Sequence, residues 1–200
     1  MPGQVREGRS TVRFSVRFSV RFTETMAGMV RPLGAAGPPL QPFALAGLRI
    51  EAAARPGPDD GLPGRVVGGE VRYLGRCWAV RRGSFLALAR AADGGRRLQY
   101  HVDAANDEGR IDVRGVKTLT GGPLRWWRQT TTLAVAVRMD GEARISAVGT
   151  LRLPARGFAR QLTTMRGRPS ALAAFGLRFP RRLPLRPRSE ACRAGTSHPL

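Results

Sequence analysis

Two hundred residues, 42% of them apolar, suffice for one domain or at most two small ones with a genuine core. No run approaches the roughly 18 apolar residues that a membrane-spanning helix needs, and Met1 to Thr25 is interrupted by arginine throughout, unlike a signal peptide, so the cytoplasm is the expected location. The formal charge of +20 suggests a polyanion partner, but 33 of the 34 basic residues are arginine, with Lys117 the single lysine; beside abundant Ala, Gly and Pro, that skew reads as coding bias as much as phosphate recognition.

The chain opens on a repeat: Thr11-Val-Arg-Phe14, Ser15-Val-Arg-Phe18, Ser19-Val-Arg-Phe22. A period of four preserves strand parity, so Val12, Phe14, Val16, Phe18, Val20 and Phe22 share one face while Arg13, Arg17 and Arg21 share the other. The whole repeat would make a strand about 40 Å long at ~3.3 Å per residue, longer than most domains use. Ser19 to Phe22 is therefore assigned to native sheet and residues 1–18 to an N-terminal extension. The arginine stripe could track phosphates, but rings that stack on bases must share its face, and these phenylalanines point the opposite way.

Residues 31–42 and 52–64, rich in Pro and Gly, read as loops around a strand from Phe43 to Glu51. Arg65 to Tyr73, Cys77 to Arg81 and Ser84 to Arg90 read as three further strands, punctuated by Gly75 and Gly83. A hairpin follows: Leu98, Tyr100 and Val102 alternate with polar residues, Asn106-Asp-Glu-Gly109 turns, and Ile111 and Val113 resume the alternation. In a second hairpin, Thr131, Leu133, Val135 and Val137 form the apolar face, with Thr130, Thr132, Ala134 and Ala136 opposite. Met139-Asp-Gly-Glu142 turns the chain, and Ala143 to Leu153 returns.

Beyond Pro154 the period becomes helical. Phe158, Leu162 and Met165 fall at i, i+4 and i+7, with Arg156 and Arg160 turned away. Ser170 is a suitable N-cap for a second helix carrying Leu172, Phe175 and Phe179, which Pro180 would end. Residues 180–200 read as a disordered basic tail. Arg152 to Leu200 carries eleven arginines against one acid, Glu190, half of the net charge. Nucleic-acid or other polyanion binding, the alternative function, would act through this region.

The sum is a mostly β domain over residues 19–179, with about nine strands in sequential antiparallel order and then one or two short helices. Such a meander must hide its edges, and closing into a barrel or folding into two sheets does so.

Five stretches carry a family resemblance. Phe22-Thr-Glu-Thr-Met-Ala-Gly28, Asp107-Glu-Gly-Arg110 with Gly115-Val-Lys117, Trp127-Arg-Gln-Thr-Thr-Thr-Leu133, Gly149-Thr-Leu-Arg-Leu153 and Phe158-Ala-Arg-Gln-Leu-Thr-Thr-Met-Arg166 occur in that order. Together they resemble an accessory module found beside bacterial GMC-type, cholesterol-oxidase-like flavoproteins. Gln129 and Gly157 depart from that pattern, which has an acid at each place, and the aromatic ending expected after Phe179 is missing. The resemblance implies a companion role to a flavin-dependent oxidoreductase and, with a barrel, a small apolar ligand such as a sterol or lipid.

It brings no catalytic machinery. The Gly64 to Gly69 stretch lacks the spacing and the following helix of a dinucleotide loop, and no Gly-x-Ser-x-Gly elbow occurs, so neither flavin nor another cofactor is expected. With only His101, His198, Cys77 and Cys192 and no Cys/His cluster, neither a zinc site nor a disulfide framework is expected. Cys77 lies in an apolar context and Cys192 in the polar tail. His101, beside Asp103 on a polar strand face, reads as a surface histidine lacking an evident nucleophile. Trp126 and Trp127, followed by Thr130 and Thr132, are the candidate ligand-binding residues: aromatics over a polar-lined barrel mouth. The competing interpretation has the tryptophans plugging the barrel end and the threonines simply favouring strand.

Overall fold

Mostly apolar residues recur at alternate positions along eight strands, stepping over at bulges such as Ala46/Arg49 and Leu86/Ala89, and that row is buried. The computed structural model describes residues 20–175, apart from residues 35–38, 58–59, 92–93, 121–122, 143 and 174 and the side chains of residues 123–126. The N-terminal extension and the basic tail assigned from sequence thus lie outside the described residues.

The strands are β1 (Val20–Pro32), β2 (Gln41–Ala52), β3 (Leu62–Tyr73), β4 (Arg76–Arg90), β5 (Arg96–Asn106), β6 (Gly109–Leu119), β7 (Thr132–Met139) and β8 (Ala147–Arg152). Each pairs antiparallel with the next, and β1 pairs with both β2 and β8, closing an eight-stranded barrel. Closure removes the exposed edges that a sequential meander would otherwise present. Inside, Met26, Leu45, Val102, Ile111, Leu133 and Leu151 are fully buried. Among the described residues no helix is long and apolar enough to cross a membrane.

Both hairpins form at the expected turns. Asn106 accepts from the backbone N–H groups of Glu108 and Gly109 through Oδ1, and Asp140 and Gly141 both take positive φ, the geometry of a tight primed turn. Three expectations need correction. Cys77–Arg81 and Ser84–Arg90 belong to one fifteen-residue strand, β4. Gly83 does not interrupt it; a Cβ there would lie 2.4 Å from the His101 carbonyl oxygen and 2.9 Å from Val66 Cβ, so glycine permits close packing of the strands. Helix α1 (Pro123–Thr131) stands between β6 and β7, where the sequence suggested no helix. It takes in Thr130 and Thr131, leaving Thr132 as the first residue of β7, and Pro123 occupies the opening position that proline suits. Finally, the helix expected to start after Ser170 starts at Pro169. The Arg168 carbonyl accepts from the N–H groups of Ala171 and Leu172.

Helix α2 (Ala155–Thr164) follows β8 as its apolar spacing predicts. It sits where it does because β8 is short. β1 has thirteen residues, and β8 pairs only with its Ala27–Pro32 half. The remaining edge of β1 is covered by the two-residue β9 (Arg166–Gly167) opposite Val20 and Arg21, and by the Thr23 N–H donating to Thr164 Oγ1 at 2.9 Å. Backbone groups left without a ladder partner are satisfied by the end of the helix, which fastens α2 over one end of the barrel.

Candidate ligand-binding cavity

Strand parity selects the residues that point inward at this end. β1 contributes Val20, Phe22, Glu24 and Met26; β5 contributes Leu98, Tyr100 and Val102; β6 contributes Val113, Gly115, Lys117 and Leu119. Glu24 and Lys117 thus occupy positions that the alternation reserves for apolar side chains. They are 1% and 2% exposed, and Lys117 Nζ donates to Glu24 Oε1 at 2.6 Å. The Tyr100 hydroxyl donates to Glu24 Oε2 at 2.9 Å, and the ammonium also lies 5.2 Å from the Tyr100 ring centroid. Either charge alone would be costly to bury; together they are neutral and hydrogen-bonded. Burial, reinforced by the Glu24 carboxylate, raises the Tyr100 pKa well above its ordinary value, so the phenol keeps the proton it donates.

Beside this triad lies a cavity of about 210 Å³. Phe22, Phe85, Leu98 and Tyr100 form its barrel wall, with edge-on ring contacts between Phe22 and Phe85 at 5.9 Å and between Phe85 and Tyr100 at 5.0 Å. Phe158, Gln161 and Leu162 of α2, with Met165 at its C-cap, form its roof, and Phe175 adds a ring 6.1 Å from Phe22. None of the α2 residues is fully buried, and Leu162 is 52% exposed. Phe158 and Met165 pack partly against the core and Phe158 also meets Trp127, so among the described residues the stripe is only partly covered and the cavity beneath it is left unfilled. The Oε1 atom of Gln161 is buried in the packing of this roof, with no hydrogen-bond partner among the described residues.

The four sequence candidates separate. Thr130 lines the cavity, although its hydroxyl donates to the Trp127 carbonyl within α1. Trp127 is 41% exposed and stands edge-on against Phe158 at 4.9 Å, so it braces the roof from outside and does not plug the barrel. Thr132 belongs to an open outer depression with Thr118, Gln129 and Ala134. Trp126 lies in α1, its side chain outside the described residues. His101 pairs with Asp112 on the outer surface, and the adjacent Asp103 pairs instead with Arg82 at 3.0 Å. Cys77 faces outward and is exposed, against the apolar context read from its neighbours.

Glu24, Lys117 and Tyr100 were missed as a group. The available signal was parity: a charged residue in the inward row of an otherwise apolar strand, seen twice. No family model, curated protein or solved structure matches the chain.

Proposed function

We propose that this barrel is a non-catalytic binding module that takes a small, mostly apolar molecule into the cavity beneath α2, as an accessory to a cholesterol-oxidase-like flavoprotein. The observation that carries the binding role is the roof: Phe158 and Leu162 of α2, with Met165 at its C-cap, line an apolar space of about 210 Å³ and none of the three is fully buried. That volume lies below the roughly 300–1,000 Å³ of drug-sized pockets, so a sterol-sized guest would leave part of itself outside or lift α2. The non-catalytic reading rests on the triad. Glu24 and Lys117 neutralise each other and Tyr100 holds its proton, leaving no free general base among the described residues that line the cavity. The companion role rests on the sequence resemblance, and three of the stretches that carry it supply Phe22 and Glu24, Lys117, and Phe158 to Met165 at this one place.

Titration with the neutral fluorophore N-phenyl-1-naphthylamine tests the reading. Saturable, one-to-one binding is expected, and Leu162→Arg should abolish it while leaving the circular dichroism and unfolding midpoint unchanged, because this side chain already meets solvent. Saturable binding unaffected by Leu162→Arg would place the dye elsewhere, and no saturable binding would end the proposal. For the companion role, co-elution with a flavin-dependent oxidase encoded beside this chain is expected; independent elution would leave the barrel a stand-alone binder.

A further inference from the structure

We infer that the cavity selects guests carrying a neutral oxygen group and rejects carboxylates. The inference rests on the ligand-binding reading above and adds the chemistry of the guest's polar end.

It follows from charge and hydrogen-bond accounting at the only charged pair lining the cavity among the described residues. Glu24 and Lys117 already cancel, so a guest carboxylate would bring a second buried anion with no counter-ion of its own. The positive charge of Lys117, which alone would attract fatty acids, is spent on Glu24 at 2.6 Å. Hydrogen-bonding capacity remains. An ammonium has three N–H donors, and Glu24 takes one. Glu24 itself is engaged at both oxygens, by Lys117 and by the Tyr100 hydroxyl.

The cavity therefore offers N–H donors on its floor within otherwise apolar walls. A hydroxyl or a ketone oxygen can accept from Lys117, and an alkane cannot. A site built around unpaired polar atoms discriminates strongly against guests that leave them unpaired. Alcohol and ketone are both expected to outrank carboxylate.

The full chain is tested by displacement of bound N-phenyl-1-naphthylamine with octan-1-ol, octan-2-one and octanoate at about pH 7.5, where octanoate is ionised. Octan-1-ol should compete at least about tenfold more tightly than octanoate, one decade being the smallest preference that counts as selection. Glu24→Gln frees the charge of Lys117, and the preference should then reverse toward octanoate. If that variant fails to fold, Glu24→Met combined with Lys117→Met and Tyr100→Phe keeps the cavity uncharged and takes away its floor donors. There octan-1-ol should lose about tenfold or more relative to the parent, the cost of the missing donor. Octanoate competing as well as octan-1-ol in the parent, or an undiminished alcohol affinity in the triple variant, would overturn the inference while leaving the apolar pocket standing. Failure of the dye itself to bind would defeat the pocket reading instead.

Discussion

Gly115 and Leu133 offer the sharpest test of the barrel interior, because each explains the other. Gly115 sits opposite Val135 in the β6–β7 ladder, and Leu133, two residues from Val135 on the same inward face, lies across the glycine. Leu133 is fully buried, and a Cβ at position 115 would lie 2.9 Å from both of its Cδ atoms. Leu133→Ala removes a core side chain and should cost about 2–5 kcal/mol. Gly115→Ala drives a methyl into Leu133, which has no solvent to retreat to. It should cost about 1–3 kcal/mol of overpacking, offset by about 0.4–1 kcal/mol from a stiffer unfolded chain. In the double variant the new methyl enters the space the leucine vacated. The clash disappears and the void shrinks, so the pair should cost at least about 1 kcal/mol less than the two single changes added. Urea unfolding followed by circular dichroism, with a common slope across the set, measures the cycle. Ala134→Ser, one residue along and facing outward, is the control and should cost within about 0.5 kcal/mol of nothing. Additivity within about 0.5 kcal/mol for the Gly115 and Leu133 changes would mean that they do not face each other, and the register of β6 on β7 would be wrong.

Glu24→Ala should destabilise the protein by about 3–5 kcal/mol by stranding the Lys117 charge in the core, whereas Glu24→Gln with Lys117→Met should recover most of that loss in the same urea assay. A double variant as damaged as the single one would mean that the cost was not electrostatic. Because Tyr100 holds its proton to higher pH when folded than its ordinary value near 10, the folded state binds more protons above about pH 10. Stability should therefore fall there by about 1.4 kcal/mol per pH unit until the folded pKa is reached. Tyr100→Phe should lose that component of the slope in unfolding measurements from about pH 9 to about pH 11; an unchanged slope would contradict the buried, donating phenol. Gly149→Ala would put a Cβ 2.2 Å from the Met29 carbonyl oxygen and 2.6 Å from Val30 Cα. Since backbone cannot swing aside, it should open the β8–β1 seam, seen as faster amide exchange at residues 27–32 than in the parent.

How much of this was legible in the chain follows the range of the interactions involved. Local alternation marked most of the strands, and the turn residues at 106–109 and 139–142 located both hairpins, because period and turn chemistry are written in neighbouring residues. The spacing of Phe158, Leu162 and Met165 likewise marked α2 and its apolar stripe. Gly83 misled because a glycine inside a strand and a glycine ending one look alike until the distance to His101 and Val66 is known. Thr130 and Thr131 misled because threonine favours strand, while here both hydroxyls bond back into the last turn of α1. Closure was left open between barrel and sandwich, since it depends on β1 meeting β8 across the length of the domain. The site depends on the same long-range fact. Glu24 and Lys117 lie 93 positions apart, and in sequence each is a charged residue on a strand. Only the closed sheet turns both inward, neutralises one with the other, and sets them beneath the apolar face of α2.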